Sequence, residues 1–188
     1  MNGYSDGYSL RLARPEEAET LHALMMGVWE GLENREVFAV EDLDLDWVRD
    51  KLGPGGFGVV ACGPDGRLAG MLLMAYPGLS PENLGWDVGL PEAELNRVCL
   101  METAAVLPAH RGHGLERRML AFAEEQMAGS PFRYLMATIS PDNPPSLRSA
   151  EKCGYRILTT KEKYGGHLRH ILGKPVNGAG WAELLPGE

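Results

Sequence analysis

The sequence predicts a single-domain α/β fold, and three observations carry that reading. Short apolar or alternating runs recur between helical patterns. Two pairs of runs are joined by turn-rich connections that read as hairpins. One run passes through glycines directly into a helix, the strand–turn–helix unit of a layered α/β protein. At 188 residues the chain has room for one domain with a sizeable core. No repeat or linker divides it, so residues 1–188 read as one domain with a core of about 8–175 and a tail over 176–188.

Taken in order, Tyr8–Ala13 alternates as a first strand. Arg14-Pro15-Glu16-Glu17 opens a helix with a proline and acids in the first turn, where the helix dipole favours them. Its apolar face is Ala18, Leu21, Leu24, Met25, Val28, Trp29 and Leu32. A second, acidic helix is predicted over Val40–Leu52, stopped by Gly53-Pro54-Gly55-Gly56. Phe57–Cys62 and Arg67–Tyr76 form a hairpin across Gly63-Pro64-Asp65-Gly66. Pro77–Asn96 shows no period and reads as a long loop, which in a compact domain is functional or mobile.

Arg97–Leu107 is the next strand, followed by a glycine turn and a helix to about Ala128. Phe132–Ile139 is a strand, and Asn143 caps a short helix with prolines in its first turn and Gly154 at its end. Tyr155–Thr160 and His167–Leu172 make a last hairpin across Lys161–Gly166, and Trp181 with Leu184-Leu185 can dock the tail.

Charge narrows the function. The formal net charge of −8 argues against a general nucleic-acid binder, because phosphate backbones select a basic face. Eight acids (Glu30, Glu33, Glu36, Glu41, Asp42, Asp44, Asp46, Asp50) face only Arg35 and Arg49 in one stretch, either a solvated surface or a rim for a cationic substrate. The odd, scattered cysteines Cys62, Cys99 and Cys153 fit a reduced, cytoplasmic chain and no metal site. The longest apolar run, Leu68–Tyr76, is too short to cross a bilayer, so no membrane partner is expected.

The chemistry concentrates between Thr103 and Leu120. A short apolar run breaks at Pro108, passes Arg111-Gly112-His113-Gly114 and enters a helix. Free N–H groups of the first helical turn, the helix dipole and close-approaching glycines suit a phosphate. The segments VLPAHRGHGLERRML and PDNPPSLRSAEKCGY, with the order of elements around them, resemble the GNAT superfamily of acyl-CoA-dependent N-acetyltransferases. The family's Arg/Gln-x-x-Gly-x-Gly/Ala pattern falls on Arg111, Gly114 and Glu116, the last departing from the small residue expected. Its later asparagine, small residue and Gly-aromatic pair fall on Asn143, Ser146 and Gly154-Tyr155.

The resemblance implies a mixed, mostly antiparallel sheet flanked by helices, with a splayed central strand pair holding acetyl-CoA as co-substrate. The pyrophosphate would sit on the backbone of Arg111, Gly112, His113, Gly114, Leu115 and Glu116, and Arg117 or Arg118 would reach the 3′-phosphate. The strand edge at Ala104, Ala105 and Val106 would pair with pantetheine amides. Asn143 either bonds the pantetheine or only caps its helix.

For catalysis, alternation puts Val98, Leu100, Glu102, Ala104 and Val106 on one face. Glu102 is then a carboxylate among apolar neighbours, a candidate general base. Many relatives carry an acid tyrosine where this chain has Ala150; Tyr164 is the substitute at hand, and water is the other proton source. Cys99 reads as core, and His110 and His113 as structural or solvent-facing. These expectations describe an enzyme that moves the acetyl group directly to a primary amine of a small molecule or peptide, cationic if the acidic stretch contributes. A non-catalytic acyl-CoA sensor is the alternative, a kinase-like phosphate site fits poorly without Gly-Lys-Ser/Thr, and a homodimer is left open.

Overall fold

The hairpin of β3 (Gly56–Cys62) and β4 (Leu68–Ala75) lies at the middle of the sheet because both strands are apolar on both faces. Its turn closes with Gly66 N–H on the Gly63 carbonyl at 2.9 Å, Gly66 supplying the positive φ of 77° that other residues adopt at a cost. The computed structural model describes residues 2–3, 6–38 and 43–185. Around the hairpin run β1 (Asn2–Gly3), β2 (Ser9–Leu12), β5 (Val98–Val106), β6 (Tyr134–Ile139), β7 (Arg156–Lys163) and β8 (His167–Pro175). They form an eight-stranded sheet in the order β1-β2-β3-β4-β5-β6-β8-β7. Every neighbouring pair is antiparallel except β5–β6. That mixed, mostly antiparallel sheet flanked by helices is the predicted fold class.

Helices α1 (Ala18–Glu30) and α2 (Leu45–Lys51) bury Leu21, Met25 and Val48 against Val60, Leu73 and Ala105. On the other face α4 (Leu115–Gln126) buries Leu115, Met119 and Phe122 against Val59, Leu72 and Cys99. A third cluster joins Tyr134, Met136 and Ile171 to Leu84, Leu95 and Leu184 of the tail helix α6 (Trp181–Leu184). The apolar face predicted for α1 is buried at Ala18, Leu21, Leu24, Met25 and Val28. Among the described residues no helix is long and apolar enough to cross a membrane.

Four expectations change. The second helix starts at Leu45, because the Asp44 carboxylate accepts from Trp47 N–H at 2.8 Å and caps it there; Val40, Glu41 and Asp42 lie outside the described residues. The Pro77–Asn96 segment is ordered: it carries α3 (Glu92–Leu95) and a wholly buried Asn83. Asn83 donates to the carbonyls of Gly78 (2.7 Å) and Leu95 (3.0 Å) and accepts from Gly85 N–H (2.8 Å). The last hairpin is longer than predicted, its charged Lys161–Lys163 lying on the sheet's edge strand, where charge blocks further pairing.

The fourth change concerns alternation along β5. Leu73 pairs with Thr103 and Met74 with Met101, so Glu102 is an extra, bulged residue. Cys99 and Met101 therefore share the α4-side cluster with Ala104 and Val106, while Val98 and Leu100 lie in another cluster and Ala105 packs toward α1. The single face through Val98, Leu100, Glu102, Ala104 and Val106 does not exist, because the bulge reverses the alternation.

One ion pair anchors the start of α1. Arg11 grips Glu17 with two bonds of 2.8 and 2.7 Å, and Arg14 N–H adds a third at 2.8 Å. The Arg11 hydrogen bond chiefly holds the Glu17 carboxyl down at about 2, against an ordinary 4.5. A depressed carboxylate stabilises the fold above its unfolded value, and that contribution disappears as pH falls from about 4.5 to 2. Glu17→Gln is expected to lose about 2 kcal/mol of stability at pH 7 and very little at pH 2. Urea unfolding at the two pH values checks it; an equal loss at both would refute the ion-pair account.

Candidate active site

The cleft of this protein opens where β5 and β6 part. Their parallel pairing covers Val98–Met101 against Tyr134–Ala137 and then stops, while β5 continues to Val106. Beyond Met101 the side of β5 that faced β6 has lost its partner, while β6, paired with β8 along its whole length, continues through Thr138 and Ile139 with that pairing alone. A cavity of about 620 Å³ fills the gap, lined by Glu102 and Ala104–Val106 on one side and Thr138 and Ile139 on the other.

At one end lies the glycine turn. Gly112 (φ 85°) and Gly114 (φ 66°) both take left-handed conformations, and Gly114 is the residue before α4. The first helical bond of α4 runs from Arg118 N–H to the Gly114 carbonyl at 3.0 Å, so the N–H groups of Leu115, Glu116 and Arg117 precede the helical ladder. Arg111, Gly112, Gly114, Leu115 and Glu116 line the cavity; His113 and Arg117 do not. Arg117 is exposed, and Arg118 is held by Asp6 through bonds of 2.8 and 3.0 Å.

Helix α5 (Pro144–Lys152) forms the facing wall. The Asn143 side chain accepts from Ser146 N–H at 3.3 Å, so it caps its helix as predicted while also lining the cavity. Gly154 (φ 88°) ends α5 in a Schellman turn, with Tyr155 N–H on the Ala150 carbonyl at 3.1 Å. Ser146 Oγ donates to the Glu116 carboxylate at 2.6 Å, bridging α5 and α4. The carboxyl thus turns across to α5. Burial pushes Glu116 above the ordinary carboxylate range, with the Ser146 hydrogen bond opposing.

Two residues carry the candidate proton chemistry. Glu102 is half-buried at the bulge, and burial raises its pKa, with Lys51 lowering and Glu82 raising it further. Tyr164 sits exposed at the β7–β8 turn with φ 49°, outside the residues that line the cavity, and its hydroxyl lies 3.0 Å from Oγ1 of the lining Thr138. Its pKa is raised by burial against the pull of the Thr138 bond. The buried Arg169 guanidinium lies over the Tyr164 ring, 5.8 Å from its centroid. Sequence reasoning passed over Thr138 and Arg169; His110, read as structural or solvent-facing, lines the cavity with its Nδ1 3.0 Å from the Tyr8 hydroxyl. Thr138 alone had a signal, as the last polar residue of a predicted strand.

A family model described as acetyltransferase (GNAT) family matches residues 18–155. The chain belongs to the GNAT acetyltransferase family. A comparison with curated proteins finds no sequence match. Solved GNAT-like structures share its fold at low identity. Arabidopsis thaliana NAA60 in complex with acetyl-CoA has a TM-score of 0.70 and 14% identity, over 91% of this chain and 99% of that one. The putative acetyltransferase yncA from Salmonella typhimurium, with its cofactor acetyl-CoA, has a TM-score of 0.66 and 16% identity, over 92% and 96%. AAC(6')-Ib in complex with ribostamycin and coenzyme A has a TM-score of 0.65 and 16% identity, over 90% and 94%.

In this GNAT chain the described acids of the acidic stretch lie outside the cavity lining. Glu30, Glu33, Glu36, Asp44, Asp46 and Asp50 are exposed and none lines the cavity, while Glu41 and Asp42 lie outside the described residues. Cys99 is fully buried in the core, and burial drives its thiol far above its ordinary range, which leaves it unsuited to nucleophilic attack.

Proposed function

We propose that this protein acetylates a primary amine by direct transfer from acetyl-CoA bound in the cleft. The observation that carries the reading is the unpaired edge of β5 beyond Met101, which opens between the glycine turn and the bulged Glu102. The residues present fit the co-substrate. Left-handed glycines and the first-turn N–H groups of α4 suit a pyrophosphate, and the edge at Ala104–Val106 offers amide partners to pantetheine. When bound, acetyl-CoA supplies the thioester.

Glu102 accepts a proton from the attacking amine, whose nitrogen forms the new N–C bond as the C–S bond breaks. Tyr164, or water at the Thr138 lip, returns a proton to the departing sulfur. A raised carboxyl is a stronger base when ionised, which favours the role of Glu102, whereas the raised Tyr164 phenol keeps its proton at neutral pH but is a weaker donor, which favours water as the proton source.

Thermal unfolding tests the co-substrate. Acetyl-CoA at about a hundred times its dissociation constant should add roughly 2.7 kcal/mol. No shift with acetyl-CoA, CoA or longer acyl-CoAs would overturn the reading. Glu116 and Ala150 support a second reading, an acyl-CoA sensor; it predicts the same shift with no acetylation across an amine panel.

Glu116 adds a pH prediction. Bound diphosphate raises its carboxyl further, so binding takes up a proton and affinity weakens as pH rises through the titration. Glu116→Ala should bind acetyl-CoA several-fold more tightly at pH 8 and approach the parent affinity at pH 5. Calorimetric titration at both values checks it, and a pH-independent ratio would remove Glu116 from the anion site.

A further inference from the structure

The cleft has two chemically different ends. Toward the glycine turn its ionisable lining side chains are His110, Arg111 and Glu116. Toward the end of α1 the wall consists of Val28, Leu32, Val37 and Phe38, and among the described lining residues the one remaining ionisable group is Glu102. Val37 ends a single 3-10 turn, Arg35–Val37, that Phe38 caps and that is fastened at several points. Asn34 Oδ1 accepts from Glu36 N–H at 3.1 Å, and Phe38 N–H bonds the Arg35 carbonyl at 3.1 Å. The buried Arg169 of β8 donates to the Glu36 carbonyl and to the Leu168 carbonyl, tying this turn to the strand beside Tyr164. The Glu36 carboxylate itself is exposed and lies outside the lining.

We infer that the acceptor is a primary amine carrying an apolar substituent and no second cationic group. This rests on the transferase reading above. The reacting nitrogen needs Glu102, so a second ammonium at this end would be desolvated among Val28, Leu32 and Phe38, with no second carboxylate among the described lining residues of that wall. An aliphatic or aromatic substituent instead gains by leaving water against the same walls. A polyamine or an aminoglycoside is therefore a poor fit, whatever the acidity of the exposed surface nearby.

The test is a matched pair of probes, hexylamine and 1,6-diaminohexane, which differ mainly at the far end. With acetyl-CoA saturating, kcat/KM for hexylamine should exceed that for the diamine at least tenfold. Along the series propylamine, butylamine, pentylamine it should rise by up to about fourfold for each methylene that reaches the apolar wall. Phe38→Asp, at a half-buried position outside the proton chemistry, should narrow or reverse the preference while keeping the thermal shift with acetyl-CoA. A diamine that reacts as well as hexylamine, or a flat alkyl series, overturns the inference and leaves the transferase reading intact. Acetyl-CoA binding with no amine acetylated overturns both.

Discussion

Replacing Glu102 with glutamine is expected to lower kcat/KM for amine acetylation about a hundredfold or more, with acetyl-CoA affinity nearly unchanged. A positioned general base contributes about 10²–10⁴ in rate, and the amide keeps the size and polarity of the side chain while losing its basicity. Glu102 stands at the bulge of β5, at the cleft and away from the glycine turn, so the substitution leaves the anion site alone.

The pH dependence separates this from a packing effect. Burial raises the carboxyl above its ordinary value, and the base works only when ionised. Activity of the parent should therefore climb with pH through that raised value, later than an exposed glutamate would allow. The Glu102→Gln profile should lack this acidic limb. An unchanged limb in the variant would exclude Glu102 as the base and leave the step to water or to the amine's own ionisation.

What was legible in the sequence depended on how local its cause was. Turn chemistry is local: Gly63-Pro64-Asp65-Gly66 specified its hairpin, and Asn143 with Gly154 marked both ends of α5. The face of α1 followed from a repeat visible within one helix. The bulge at Glu102 was not legible, because it is a property of β5 paired with β4 and neither strand alone contains it. That one inserted residue turned a uniform apolar face into two and placed the carboxylate at the strand's irregularity.

Asn83 shows the same limit. Its three hydrogen bonds order the segment after Pro77, yet a lone asparagine in a Gly/Pro-rich run reads as a turn residue. Glu116 was recognised as a departure from the family pattern, but its bond to Ser146 spans thirty positions and needs both helices in place. Most residues of the candidate site were thus legible as a set that lines one cavity, His113, Arg117 and Tyr164 excepted, while the partners that set their charge and direction came from tertiary contact.

Gly114→Val is expected to weaken acetyl-CoA binding about a hundredfold and to lower stability by about 1–3 kcal/mol. Gly114 has φ 66° immediately before α4, a conformation in which a β-branched side chain is strained whatever space surrounds it. A Cβ there would meet only Arg117 Nη2, at 3.7 Å, so backbone conformation and not crowding decides the outcome. Relieving the strain requires Gly114 to leave the left-handed region. That rotates the peptide leading into Leu115 and disperses the N–H groups that precede the helical ladder. In the proposed function the pyrophosphate rests on those groups, so affinity should fall more than stability does.

Gly112→Ala provides the comparison. Its Cβ meets nothing within 4 Å, and a methyl at φ 85° is a milder strain two residues farther from the helix. Its loss of affinity should be smaller, about tenfold. If Gly114→Val instead unfolds the chain at room temperature, Gly114→Asn, which tolerates the left-handed region better, should regain the fold and most of the binding. Equal affinities for the parent and Gly114→Val, measured calorimetrically on folded protein, would show that the pyrophosphate is held somewhere other than the first turn of α4.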